Sequence, residues 1–173
     1  MSDFLFAVKK TLAYEGGLTR DHAGLTNRGV VLRALKEMGA WGDFDFDGDT
    51  DEADLRAMTL ERAIEFYRIR YWEPGKFDRI DSRMVAWKVF DLSVNMGPHQ
   101  AALILQRALN LCGFDIAVDG NIGPQTIRAT DGCNWIMLLD AMRQEAQKTY
   151  ERIILTNATF EKYRVGWMER AKA

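Results

Sequence analysis

Apolar side chains recur at helical spacing through most of this chain of 173 residues, and short polar or glycine-rich breaks separate the periodic stretches. The first stretch begins at Phe4 and leads to Glu15. Gly16 and Gly17 follow, and glycine readily takes the positive φ that ends a helix. We therefore expect a first helix that ends at Glu15, then a short polar hairpin, and a second helix that starts near Val30.

Later stretches predict further helices, of which one should be central. The segment Met84–Met96 is apolar on nearly every side, which is typical of a buried helix. Asp91 and Asn95 lie four residues apart on it and share a face. Polar groups on a buried helix need hydrogen-bond partners, so these two either brace the hairpin or line the cleft, and we favour bracing for Asp91. An earlier helix, which starts at Thr59 and which Pro74 and Gly75 end, carries Tyr71 on its apolar stripe. Tyr71 either packs in the core or stacks on a sugar, and we favour the core.

Composition and charge narrow the class of protein. The chain is 47% hydrophobic with a net charge of −2 and a pI near 5.7, which argues against nucleic acid or an anionic membrane as its main partner. No apolar run is long enough to span a bilayer, and the first residues do not resemble a signal peptide. Two cysteines are too few for a disulfide scaffold, and we expect Cys112 to be a buried thiol. With two histidines, hydrolases built on zinc or on a Ser-His-Asp triad are disfavoured.

An acidic segment between the second and third predicted helices has the spacing of a calcium loop. Aligned with the loop of EF-hand proteins, it has Gly48 at the turn position and Asp54 at the last ligand position, where glutamate is usual. Short carboxylates at alternate positions can converge on one hard cation. The alternative is a solvated acidic loop. The candidate ligands are Asp43, Asp45, Asp47, Asp49, Asp51 and Asp54.

The first break of the chain carries a more specific pattern. From Glu15 to Gly29 the sequence reads Glu-Gly-Gly and then Asp-x-x-Gly-x-Thr-Asn-x-Gly, with Asp21 and Thr26 as its other chemically active members. This string resembles the lysozyme-like muramidases, and in its full form glycoside hydrolase family 108, which includes phage endolysins. The segment between Glu15 and Asp21 is shorter here than is usual in that family. The chain from residue 98 onward resembles the peptidoglycan-binding module found in the same family.

The resemblance implies a mainly helical, lysozyme-like α+β fold, with a small β-hairpin next to Glu15 and two lobes around a cleft. It assigns residues 1–77 to a catalytic region that contains the hairpin and the acidic loop. Residues 78–173 would form a helical peptidoglycan-binding module packed on it.

The resemblance also implies an activity, which is cleavage of the β-1,4 bond between N-acetylmuramic acid and N-acetylglucosamine in peptidoglycan. Glu15 would be held protonated and act as general acid. Asp21 would be the base or an electrostatic partner, and Thr26 would position water. No cofactor is expected for catalysis, and calcium in the acidic loop would be structural. The expected substrate-binding residues are Asn95, Tyr71, Asp119 and Asn121, of which the last two could equally just hold a turn.

Two alternatives remain open from sequence. One is a non-catalytic peptidoglycan-binding protein, in which the shortened hairpin has cost the activity. The other is a lytic transglycosylase, which also uses a helix-terminal glutamate but closes the sugar on itself without water. In each case we expect peptidoglycan as partner, no nucleic acid, no membrane, and a monomer. We also expect synthesis in the cytoplasm and action on the cell wall in the periplasm, after release or holin-type export.

Overall fold

The computed structural model describes residues 3–14, 17–21 and 24–173, and of Asp21 it describes the backbone. The described chain is mainly helical and carries one small antiparallel sheet, which confirms the predicted fold class. It divides into two compact units, Val8–Arg70 and Met1–Ala7 with Tyr71–Ala173. The boundary predicted after residue 77 stays a prediction.

The secondary structure is as follows for the described residues. The strands are β1 (Thr19–Asp21), β2 (Gly24–Asn27) and β3 (Val30–Val31). The helices are α1 (Asp3–Leu12), α2 (Leu32–Lys36), α3 (Glu52–Ala57), α4 (Leu60–Tyr67), α5 (Glu73–Gly75), α6 (Arg83–Met96), α7 (Pro98–Leu111), α8 (Pro124–Gly132), α9 (Trp135–Thr156) and α10 (Arg164–Lys172). A π-helical turn, Arg68–Trp72, joins α4 to α5, and 3₁₀ turns occupy Gly39–Gly42, Phe77–Arg79 and Ala158–Tyr163. None of these helices combines the length and the apolar character that crossing a bilayer requires.

The first two helices differ from the predicted bounds. Helix α1 ends at Leu12, earlier than predicted, and the backbone N–H of Tyr14 donates to the Thr11 carbonyl at 3.0 Å in a tightened last turn. Glu15 and Gly16 lie outside the described residues. Helix α2 starts later than predicted, because Val31 pairs with Thr26 of β2 and so belongs to a strand.

Helix α6 is the centre of the unit that contains it. Every residue from Val85 to Ser93 is buried, which confirms the prediction of a central helix. A cluster of aromatic rings packs around Phe90 of this helix, with ring centroids 5.5 to 5.7 Å apart for the Phe4–Trp72, Trp72–Phe77 and Trp72–Phe90 pairs. Burial of large aromatic side chains is among the strongest contributions to a core. Trp72 is therefore a core residue.

The C-terminal helix is fixed to α6 by buried polar contacts. The Lys88 ammonium group donates to the backbone carbonyls of Arg170 and Ala171 at 2.7 and 2.9 Å. The carboxylate of Asp91 accepts two hydrogen bonds from the Arg170 guanidinium. Asp91 thus braces α6 against α10, while the predicted bracing of the hairpin stays a prediction.

The two cysteines end neighbouring helices. Cys112 follows α7 and Cys133 follows α8, and both are free and half-buried, so the prediction of a buried thiol at Cys112 is wrong. Burial, and after it the Cys112 thiol, raises the pKa of Cys133 to about 11. Cys133 is therefore largely un-ionised near neutral pH, which makes it a poor nucleophile.

Candidate active site

The hairpin that the sequence placed after the first helix is the core of the candidate site. In β1 and β2, Thr19 faces Thr26 and Asp21 faces Gly24. The turn between β2 and β3 has positive φ at both central residues, 50° at Arg28 and 77° at Gly29. That combination defines a type I′ turn, whose twist matches the right-handed twist of the flanking strands.

Side-chain hydrogen bonds tie this hairpin to the helices of its own unit. Asn27 is buried, and its amide nitrogen donates to the Leu55 carbonyl of α3 at 2.9 Å. The hydroxyl of Tyr67 on α4 donates to the carbonyl of Arg28 at 2.9 Å. These contacts fix the tip of the hairpin from two sides, so that the residues on β2 have a defined position.

The structure describes the three predicted catalytic residues to different extents. Glu15 lies outside the described residues, and for Asp21 only the backbone in β1 is described. Thr26 is half-buried in the middle of β2, between its pairing partners Thr19 and Val31. The roles of all three stay predictions.

A cavity of about 350 Å³ lies in the same unit. Ala13, which follows α1, and Gly17, which precedes β1, both line it. Its other described walls come from α1, the hairpin turn and α4, through Lys9, Leu12, Arg28, Leu60 and Ile64. Sequence reasoning missed the two cations. The available signal was an arginine at the first central position of a tight turn, where Asn, Asp or Gly is favoured.

The acidic loop lies in the same unit and divides its carboxylates into two groups. Within each group the carboxylate oxygens lie within 4.8 Å of one another. The groups are Asp43 with Asp45 and Asp47, and Asp49 with Asp51 and Asp54. Desolvation and the charge of Asp47 raise the pKa of Asp45, and the charge of Asp47 is also the largest cause that raises the pKa of Asp49. The loop therefore contains mutual repulsion that a cation would relieve.

Asp54 differs from the other acids of this loop because it is buried. One carboxylate oxygen accepts from the backbone N–H groups of Phe44 and Asp45, and the other from that of Asp51 at 2.8 Å. Burial opposes ionisation, but these hydrogen bonds outweigh it and lower the pKa of Asp54. Together with Asp51 it forms the capping box that begins α3. Its carboxylate organises the loop whether or not it also contacts a cation.

The predicted substrate-binding residues have structural partners. Asn95 is half-buried, and its side-chain oxygen accepts a hydrogen bond from the buried Tyr150 hydroxyl at 2.8 Å. Tyr71 is half-buried in the π-helical turn. These positions leave part of each side chain accessible, and their contact with substrate stays a prediction.

Asp119 and Asn121 lie in a turn that a buried glutamine holds. The Gln106 amide nitrogen donates to the Asp119 carboxylate at 2.7 Å and to the Asn121 carbonyl at 3.0 Å. The Gly120 backbone N–H donates to the other end of the same amide at 2.8 Å. The Gln106 bond is also the largest cause that lowers the pKa of Asp119. Asp119 thus has the turn-holding role that was one of its two predicted alternatives, while its side chain remains exposed.

Comparison with known proteins agrees with this architecture. The model of the glycosyl hydrolase 108 family matches residues 8–97, and that of a predicted peptidoglycan domain matches residues 100–172. The solved structure of SagA from Brucella abortus is similar, with a TM-score of 0.76 and 23% sequence identity over 97% of this chain and 88% of that one. No sequence among the curated proteins matches.

The fold and the similar solved structure place this chain among the mainly helical, lysozyme-like α+β proteins. The glycosyl hydrolase 108 family model matches more than half of the chain, so the chain belongs to that family. A predicted peptidoglycan domain follows the family region.

Proposed function

We propose that this protein is an N-acetylmuramidase, which hydrolyses the β-1,4 bond between N-acetylmuramic acid and N-acetylglucosamine in peptidoglycan. The main support is the family match over residues 8–97, which includes Glu15, Asp21 and Thr26. The peptidoglycan domain over residues 100–172 supports the same substrate. The hairpin fixed by Asn27 and Tyr67 provides a defined frame for the second half of the motif.

In the proposed mechanism, protonated Glu15 donates its proton to the glycosidic oxygen as the bond to the muramic acid carbon breaks. Positive charge develops on the sugar ring, and a carboxylate or an activated water must stabilise or capture it from the opposite face. Asp21 is the candidate for that carboxylate. Thr26 on β2 offers a hydroxyl that can orient the water.

The test is the chemistry of the products released from purified peptidoglycan by the wild-type protein. A muramidase produces fragments that end in reducing N-acetylmuramic acid, which borohydride converts to muramitol. A lytic transglycosylase would give anhydro ends that are one water lighter and resist borohydride. Reducing N-acetylglucosamine ends would contradict the assigned bond. Sedimentation of the protein with the wall, without soluble products, would instead support a non-catalytic binder.

We also propose that the acidic loop binds calcium with a structural role. The donors fit a hard cation, because Asp43, Asp45 and Asp47 bring three carboxylates together and each is an oxygen ligand. The second group contributes Asp49 and Asp51, while Asp54 holds the backbone of the loop. When bound, calcium would neutralise the repulsion among these groups and join the 3₁₀ turn before the loop to α3.

We expect excess calcium to raise the melting temperature by roughly 5 °C relative to chelator, since saturating a native-state site contributes a few kcal/mol. Differential scanning fluorimetry with calcium, magnesium or chelator measures this. The Asp45→Asn, Asp47→Asn double variant should lose the shift. Asp140→Asn changes an exposed acid on α9 and should keep it. An equal melting temperature with calcium and with chelator would exclude the site.

A further inference from the structure

Arg28 occupies a backbone position that is unfavourable for its residue type. It is the first central residue of the β2–β3 turn, with φ of 50°, where glycine, asparagine or aspartate is usual. A non-glycine residue in the left-handed region costs free energy and is maintained by its surroundings. Here the Tyr67 hydroxyl fixes the Arg28 carbonyl at 2.9 Å. The direction in which the side chain leaves the turn is therefore defined.

The guanidinium of Arg28 has an unused donor. The side chain is half-buried, and its Nε is shielded from solvent but has no hydrogen-bond acceptor within the described part of the chain. An arginine stays charged at all relevant pH values. A shielded donor without acceptor is costly, and the cost is larger on a charged group. No described residue thus provides an acceptor for Nε, and a ligand can supply one.

The surroundings of Arg28 select the charge of that ligand. Arg28 and Lys9 both line the cavity of about 350 Å³. The other described residues that line it are apolar or glycine, namely Leu12, Ala13, Gly17, Leu60 and Ile64. No acidic residue of the described chain lines this cavity. Glu61 lies nearby, but its pKa is lowered first by hydrogen bonds to its own backbone N–H and to Thr59, and only then by the charge of Arg28. Among the described residues that line it, the cavity therefore has two cations beside apolar walls.

We propose that Arg28, assisted by Lys9, binds a carboxylate of the peptidoglycan substrate. This inference rests on the proposed function, because the ligand that it names is part of the peptidoglycan substrate. A guanidinium donates two parallel hydrogen bonds to a carboxylate, and this geometry suits a flat anion better than a neutral sugar hydroxyl. Peptidoglycan has two sources of such an anion: the lactyl group of muramic acid where the peptide is absent, and the stem peptide where it is present.

The experiment titrates the full-length protein by calorimetry with three soluble muramyl tetrasaccharides. The first has stem peptides with free carboxylates, the second has the same peptides with all carboxylates amidated, and the third has no peptide and exposes the lactyl carboxylate. Arg28→Gln should weaken binding by roughly 10- to 100-fold for the fragment that supplies the anion. It should change binding of the amidated fragment by less than about twofold. The fragment whose affinity falls in Arg28→Gln shows which carboxylate, that of the lactyl group or that of the stem peptide, binds Arg28.

Control variants separate this from a general loss of structure. Arg33→Gln removes a cation on α2 whose side chain is 90% exposed and should leave all three affinities unchanged. Lys9→Gln should give a smaller loss than Arg28→Gln with the same fragment preference, since lysine contributes a single point charge. The melting temperature of each variant is measured alongside.

Equal weakening of the charged and amidated fragments by Arg28→Gln, or no weakening of any fragment, would overturn the proposal. The muramidase assignment is judged separately, from the reducing ends of the products. If a protein bound these fragments through Arg28 but released no reducing muramic acid, the carboxylate site would stand and the proposed activity would fail.

Discussion

Glu15→Gln is expected to reduce the release of reducing muramic acid ends from purified peptidoglycan by roughly 100- to 10,000-fold, the usual contribution of a positioned general acid. The amide has nearly the same size and polarity as the carboxyl group but has no acidic proton to give to the leaving oxygen. Binding to intact walls, measured by sedimentation, should remain, because the peptidoglycan domain over residues 100–172 is unaltered.

The matched control for this variant is Glu73→Gln, which changes an exposed glutamate at the start of α5 within the same family region. It should digest walls at the wild-type rate and melt at the wild-type temperature. If Glu15→Gln digests walls as fast as Glu73→Gln does, the assignment of Glu15 as the acid is wrong. Asp21→Asn and Thr26→Val, assayed in parallel, then separate the roles on the opposite face of the sugar.

The second large effect is expected for the buried ion pair between α6 and α10. Both partners are almost completely shielded, with side-chain exposures of 8% for Arg170 and 0% for Asp91. Asp91→Ala would leave the guanidinium buried without its carboxylate, and loss of one partner of such a pair costs about 3–5 kcal/mol in the free energy of unfolding. Urea denaturation followed by circular dichroism measures the change.

The control for Asp91→Ala is Asp140→Ala, which removes an acid of 73% side-chain exposure from its ion pair with Arg143 on α9. Exposed pairs contribute less than about 1 kcal/mol, so this variant should unfold close to the wild-type midpoint. The double variant Asp91→Leu, Arg170→Met should recover much of the stability lost by Asp91→Ala, because neither position then leaves a buried charge without its partner. Similar midpoints for Asp91→Ala and Asp140→Ala would contradict this account.

The helices and the hairpin could be predicted because their signals are local. The apolar period along α6 and the turn residues around Arg28 and Gly29 depend on residues only a few positions apart. The boundaries were less accurate. Val30 and Val31 were assigned to a helix, but strand pairing with β2 placed them in the sheet. Valine itself is enriched in strands, so the pairing agrees with its intrinsic preference, whereas the apolar spacing that continues into α2 pointed to a helix.

The acidic loop was predicted from the sequence only in part. The spacing of its carboxylates follows from the sequence alone, and the structure brings them into two groups. That Asp54 is buried and accepts three backbone hydrogen bonds depends on how the loop folds back onto α3. An alignment by position treats all six acids as equivalent ligands, whereas in the structure Asp54 is buried and holds the backbone of the loop.

By itself the sequence determined the mainly helical class, the hairpin that follows α1, and the family that the motif from Glu15 to Gly29 indicates, since all of these are encoded in residue types at short fixed spacings. The tertiary structure alone decided which distant polar groups meet. Arg170 reaches Asp91 across 79 positions, and Tyr150 reaches Asn95 across 55. It also decided that Arg28 would share a cavity with Lys9. Such meetings depend on how whole elements pack, and a pattern read along the chain carries no information about them.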